Sequence, residues 1–486
     1  MHLEDIFQDS RLPARKDRNY VFAVLFLVSL SAALYLPAFF LTVRFQRDSY
    51  CFLSLAKQIP HLSYQLTHYR HLKFLPVYPV IILWFRILSF GGLDYIYSAK
   101  LASMLSLISI SLLTFDFILF TMRKYYLALL AGALSAFSPI FILDSGSILT
   151  EPIFSFLAFA TFVLIARKRN YLAWFFAALA VLTRYEGFFL LPALLISQRQ
   201  ELKRLMAGIF IFLVVYSGWA WFILSHLNQF IAFSYPLELF IQKHPGAYYF
   251  RDILVYASPL VALMGTVGIF LWFRPQRIGA LVFAAGFIVT HAYWHFQAAR
   301  FVMPLVPFFT VGAICAVEAV YRKTERLAVP VKRVALASAI ALLILSDIVF
   351  GCNSFARLEE FRRDVKKDAI VRLHDYDPSA VVLTNIEPHL AEWWGIEKTY
   401  AWDEPGLKVD PYAWAARQYV EHNARYLIWS LSDNFAILWF KDLGQGVNVS
   451  KTIQYTGKSF ILTFDPIFFL DHGDMIVFFL ELKPAP

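Results

Sequence analysis

Apolar runs of about 18–25 residues, separated by short polar loops, fill most of the chain up to Gly351. A helix of that length crosses the roughly 30 Å hydrocarbon core of a bilayer. The pattern predicts eleven spans, near residues 20–42, 97–122, 125–143, 148–166, 170–185, 187–198, 205–226, 253–273, 278–296, 300–321 and 333–351. The fifth and sixth are short and form one tight hairpin. Residues 77–90, VYPVIILWFRILSF, are too short to span and carry Arg86, so they are expected to lie as an interfacial helix. After Gly351 the periodicity changes. A charged helix (Phe355–Leu373), a strand (Ala380–Thr384), helices at Pro388–Trp394 and Pro411–His422, and a strand (Arg425–Ser430) precede a hairpin over Lys451–Phe464. The hairpin turns at Gly457-Lys458, and a last strand covers Met475–Glu481. The predicted fold class is a polytopic α-helical membrane protein with a C-terminal mixed α/β domain. Its regions are a cytoplasmic segment 1–19, a transmembrane domain 20–352 with a first outer loop 43–96, and an extracytoplasmic domain 353–486.

Charge fixes the expected orientation. Arg11, Arg15, Lys16, Arg18, Arg123, Lys124, Arg167, Lys168, Arg169, Arg199, Lys203, Arg204, Arg274, Arg277, Arg322, Lys323, Arg326, Lys332 and Arg333 all fall on one side under this count, which the positive-inside rule makes cytoplasmic. The N-terminus is on that side, and the C-terminal domain is outside. A plasma or inner membrane is the expected location, with the endoplasmic reticulum as the alternative. At 59% hydrophobic and 16% charged, the composition departs from the roughly 45–50% and about 25% of soluble domains in the same direction. The net charge of +9 comes largely from the cytoplasmic loops, so no nucleic-acid partner is implied. Cys51, Cys315 and Cys352 show neither zinc spacing nor a disulfide framework.

Ionisable residues at span ends are costly and therefore candidates for function. On the outer side these are Asp48, Arg70 and Lys73 in the first loop, Asp144 and Glu151 around the next turn, Arg184 and Glu186 in a third, and His291, His295 and Arg300 in a fourth. One base with several cations at a membrane surface suits a lipid-phosphate substrate. A phosphate leaving group departs as an anion and needs positive charge rather than an acid, whereas an attacking hydroxyl needs a base.

Five motifs in order carry a resemblance to a family. They are Asp48-Ser49-Tyr50 followed by Leu55-Ala56, Pro76-Val77-Tyr78-Pro79, Leu149-Thr150-Glu151-Pro152, Leu182-Thr183-Arg184-Tyr185-Glu186-Gly187 with Leu191-Pro192, and Ala299-Arg300-Phe301 with Pro304-Leu305 and Pro307. In this order the chain resembles the polyprenyl-phosphate-sugar-dependent glycosyltransferases of the GT-C fold. These include the dolichyl-phosphate-mannose protein mannosyltransferases and the aminoarabinose transferases of lipid A. The likeness covers residues 20–350. Two positions depart from the family pattern: Ser49 stands where a second acid is usual, and Phe74-Leu75 replaces the usual His or Lys before the proline pair.

The resemblance implies an inverting sugar transfer on the outer face, with Asp48 as the base. Arg70, Lys73, Arg184 and Arg300 would hold the donor phosphate. Tyr50, Tyr78, Glu151, Glu186 and His295 would shape the substrate pocket. The donor is a substrate, so no cofactor and no divalent metal are implied. The acceptor is a protein, a lipid or a glycan. A transporter or flippase of a lipid-linked or anionic substrate is the rival reading. It predicts midspan charges and an internal repeat, whereas midspan charges are few, with Asp116 in the second span and Glu318 and Asp347 towards span ends, and no repeat is evident.

Overall fold

The structure is a computed structural model. It describes residues 18–42, 47–65, 72–199, 201–227, 247–271, 276–293, 298–323 and 329–358, and strand segments within 382–484. The chain divides into two compact units, one comprising residues 1–42 and 75–360, the other 43–74 and 361–486.

The first unit is helical. Its helices are α1 (Arg18–Leu41), α3 (Val77–Leu88), α4 (Tyr95–Met122), α5 (Tyr125–Phe137), α6 (Pro139–Asp144), α7 (Glu151–Ala166), α8 (Asn170–Val181), α9 (Leu190–Gln198) and α10 (Leu202–Ser225). They continue with α11 (Ala247–Tyr256), α12 (Pro259–Ile269), α13 (Gln276–Tyr293), α14 (Val306–Lys323) and α15 (Val329–Arg357); α2 belongs to the second unit. Among the described residues the predicted spans are largely helical, but fewer of them than the eleven expected are long enough to cross a membrane. Five helices among the described residues are long and apolar enough to cross a membrane individually, and α11 with α12 makes a sixth candidate bent by 105°. The predicted span 125–143 is broken at Ser138, whose ψ of 125° leaves the helical region just before Pro139. Proline has no N–H to continue the ladder, and it disfavours helical backbone at the residue before it. Helix α3 has the predicted length. It buries Tyr78, Pro79 and Ile82 and exposes Val80, Trp84, Ile87 and Leu88.

Three features position the ends of these helices that the charge pattern predicts to be outer. Lys100 of α4 donates to the carbonyls of Phe39 (2.9 Å) and Thr42 (2.6 Å), satisfying groups that the end of α1 leaves without helical partners. Val77 N–H donates to Leu182 O (3.2 Å), tying the Pro-Val-Tyr-Pro stretch to the end of α8. At Gly187 an added Cβ would lie 2.6 Å from Val181 N, so the turn carrying Arg184 and Glu186 closes only without a side chain there.

At the other ends, Asp116 pairs with Arg167, and Glu318 receives Lys124 (2.7 Å) and Arg322 (2.9 Å). Two of the three acids inside predicted spans are thus neutralised by bases from the loops expected in the cytoplasm.

The second unit contains α2 (Arg47–Gln58) and a six-stranded sheet in the order β2-β1-β3-β6-β5-β4. Its strands are β1 (Val382–Thr384), β2 (Thr399–Ala401), β3 (Tyr426–Ser430), β4 (Val449–Tyr455), β5 (Lys458–His472) and β6 (Met475–Pro484). β1 runs parallel to both β2 and β3, and the remaining pairs are antiparallel. Parallel neighbours need crossover connections. The helices predicted at Pro388–Trp394 and Pro411–His422 lie outside the described residues, as does most of Phe355–Leu373. The β4–β5 hairpin closes on the Tyr455–Lys458 pair, one residue before the predicted turn.

Helices α12 and α14 touch backbone to backbone. A Cβ on Gly268 would overlap the Gly312 carbonyl, and one on Gly312 would overlap that of Gly265. Small residues permit such approach where lipid supplies no hydrophobic drive between helices. Gly268→Val is expected to push the pair apart and destabilise the protein by about 1–3 kcal/mol. The check is thermal unfolding in detergent, with Gly218→Val, where an added Cβ meets nothing within 4 Å, as the control.

Candidate active site

Turns between helices of the first unit, expected from the sequence to be outer, bring an ionic cluster together. The turn after α6 ends at Thr150, and Glu151 opens α7 with Pro152 behind it, a position where proline costs no hydrogen bond and a carboxylate favours the helix dipole. Arg184 lies in extended backbone just before the 3-10 turn Tyr185–Phe189. Arg300 sits in a second 3-10 turn, Ala299–Leu305.

Glu151 Oε1 meets Arg184 Nη1 at 2.8 Å and Arg300 Nε at 2.9 Å. Arg184 Nη2 reaches Glu186 Oε1 at 2.6 Å, and Arg184 Nη1 also bonds the Thr150 hydroxyl at 3.2 Å. Both guanidiniums lie against the Phe301 ring, 5.4 and 5.3 Å from its centroid. Glu151 is 2% exposed and Arg300 6%. Two guanidiniums this close repel each other unless an acid stands between them, and here Glu151 does, while Glu186 gives the partly exposed Arg184 a second acid.

The environment of the cluster sets its titration. Burial, with the Glu151 carboxylate adding to it, pushes Asp144 up to about 7, against a smaller opposing pull from Arg300. Burial alone would raise Glu186 too, but Arg184 and His291 outweigh it and hold this carboxyl well below the usual range. His291 Nδ1 bonds the Phe287 carbonyl (3.0 Å), which can only accept, so this nitrogen carries a proton. Its Nε2 faces Glu186 Oε1 at 3.5 Å. The imidazole is enclosed by Phe287, Phe301 and Tyr249. Tyr249 in turn donates to Phe301 O (2.9 Å), fixing the turn that bears Arg300.

The cluster therefore unites Glu151, Arg184, Glu186 and Arg300, all singled out from the sequence. Tyr78 is fully buried beside Ser103, Leu149 and Glu151 at its edge. Asp48 and Lys73 belong to the second unit. Asp48 stands in the first turn of α2, with its carboxylate 3.9 Å from Lys73 Nζ and both side chains partly exposed. Below them Phe52 packs edge-on against Phe74, and Tyr64 donates to Phe74 O (2.8 Å). Arg70, His295 and the side chain of Tyr50 lie outside the described residues. Asp144 and His291 were visible as outer-side ionisable groups without an assigned role. Tyr249 gave no signal in the sequence, because it falls in a polar loop without periodicity. Cys315 and Cys352 are free thiols.

Known structures share this architecture. The crystal structure of ArnT from Cupriavidus metallidurans bound to undecaprenyl phosphate superposes with a TM-score of 0.59 at 12% identity, covering 90% of this chain and 97% of ArnT. The apo form of the same protein gives 0.59 at 11% identity, covering 91% and 98%. The chain has the GT-C fold. That makes it a polytopic membrane protein, in keeping with its apolar helices. No known family's sequence model matches the chain, and neither does any curated protein by sequence.

Two outcomes are expected. Glu151→Gln leaves two buried guanidiniums without their shared partner and should destabilise the protein by about 3–5 kcal/mol in thermal unfolding. The Asp144 carboxyl is raised in the folded state from 3.8 to about 7. Its contribution to stability is therefore full below its unfolded value and lost as pH rises through about 7. Melting curves from pH 4 to pH 8 should fall with pH more steeply for the wild type than for Asp144→Asn.

Proposed function

We propose that the chain is a membrane glycosyltransferase that moves a sugar from a polyprenyl-phosphate donor to an acceptor hydroxyl on the outer face, with inversion. The observation that carries this reading is the GT-C fold, shared over 90% of the chain with an ArnT structure that holds undecaprenyl phosphate. The buried pairing of Arg184 and Arg300 supports it, since guanidiniums are suited to planar contact with phosphate.

In this mechanism the acceptor oxygen attacks the anomeric carbon while Asp48 takes its proton. The bond from that carbon to the phosphate oxygen breaks, and its electron pair leaves with the lipid phosphate. Arg184 and Arg300 stabilise the charge that develops there, with Arg70 and Lys73 as further contacts. Glu151 and Glu186 hold the two guanidiniums in place before the donor arrives, and with Tyr50, Tyr78 and His295 they bound the sugar or acceptor pocket. The reading needs no divalent ion. The acceptor is a protein, lipid or glycan. The N-terminus faces the cytoplasm and the C-terminal α/β domain the outside of a plasma or inner membrane.

The test uses the full chain in nanodiscs with undecaprenyl phosphate as the binding probe and a panel of polyprenyl-phosphate sugars as donors. Asp48→Asn should retain lipid binding yet lose about 10²–10⁴-fold in transfer, the usual contribution of a general base. Full transfer by that variant would remove Asp48 as the base. Arg184→Lys and Arg300→Lys keep the charge but lose the fork and should bind the lipid more weakly. Unchanged binding in both would take them out of the phosphate site.

A further inference from the structure

One acid inside a predicted span has no ionic partner comparable to those of Asp116 and Glu318. Asp347 lies in α15 and is 2% exposed. Neither of its carboxylate oxygens has a hydrogen-bond partner among the described residues. The polar group facing it is the Ser258 hydroxyl, which lies 2.8 Å from the hydroxyl of the neighbouring Ser346. A buried carboxylate left this way is expensive at membrane depth, and such a residue marks a site by default.

The surroundings identify the kind of ligand. Ser258 sits at the break between α11 and α12, with φ at +68° and Pro259 next, where the two helices turn by 105°. The final turn of a helix leaves carbonyls that its own ladder does not use. Unwound carbonyls and helix C-terminal ends at such breaks coordinate small cations in membrane proteins. The side-chain groups brought together here are all oxygen donors: a carboxylate and two hydroxyls. A lone carboxylate balances one positive charge. Calcium sites recruit several carboxylates, and magnesium retains much of its water.

We infer that Asp347, the hydroxyls of Ser258 and Ser346 and the carbonyls at the α11–α12 break hold one sodium-sized monovalent cation. The ion neutralises the buried charge and pins the bend. Arg357 Nη1 bonds Tyr256 Oη (2.6 Å) at the end of α11, so the bend is held from α15 at a second point. The same α11 carries Tyr249, which bonds Phe301 O in the ionic cluster. Occupancy would therefore stabilise the helix that steadies the Arg300 turn. The site is independent of the proposed sugar transfer and is tested without it.

The experiment is a sodium titration of the full chain in nanodiscs, with choline chloride holding ionic strength constant. The wild-type melting midpoint should rise with the logarithm of sodium concentration, as ligand binding to the folded state alone requires. Radioactive sodium should be retained at one ion per chain. Asp347→Asn should abolish both effects, and Ser258→Ala should weaken sodium binding about 10–100-fold. A wild-type midpoint indifferent to sodium, with no retained label, overturns the site and leaves Asp347 as a protonated carboxyl. If Asp347→Asn does not fold, the serine variant decides, and undiminished sodium affinity in Ser258→Ala overturns the proposal.

Discussion

One carboxylate oxygen, Glu151 Oε1, holds the turns of the ionic cluster together. Two guanidiniums from different turns converge on it within 3 Å. Glu151 and Arg300 are buried there, so their charges are tolerated because acids and bases interleave. Several backbone features serve that arrangement. Gly187 allows the Arg184 turn to close, Pro152 is tolerated because Glu151 opens a helix, and Tyr249 ties down the turn that carries Arg300. Burial raises Asp144 to about 7, which weakens the third negative charge beside the cluster.

The same balance bears on the proposed reaction. A lipid phosphate would reach guanidiniums already oriented by carboxylates and by the Phe301 ring, so little reorganisation would be needed as the leaving group gains charge. Glu186 is shared between Arg184 and His291, which contact the same oxygen. The orientation of Arg184 thus depends on residues from three separate segments, and that dependence suits a site assembled at the ends of several helices.

Much of this could be read from the sequence. Span-length apolar runs marked the helices, and charges at the outer ends marked Glu151, Arg184, Glu186 and Arg300, because a charge next to lipid must be accounted for. Strand positions near 382, 426, 451 and 475 followed from period and turn residues. What could not be read depends on tertiary contact. Nothing local says that Glu151, rather than Glu186 alone, is the partner of Arg184, since the chain separation is 33 residues. Tyr249 lies in a loop whose pattern predicts no helix. Ser258 adopts a left-handed backbone that serine does not advertise, and only the packing of α12 and α15 around it makes that conformation worthwhile. The break at Ser138 was signalled by Pro139 but overridden by the apolar run around it.

The glycine contact between α12 and α14 has a mechanical consequence. Where two backbones meet directly there is no layer of side chains to deform, so the pair behaves as a stiff beam. One end of that beam begins at the Ser258 bend; the companion helix follows directly from the turn bearing Arg300. Any displacement at the bend is carried along the beam instead of being absorbed in a soft core.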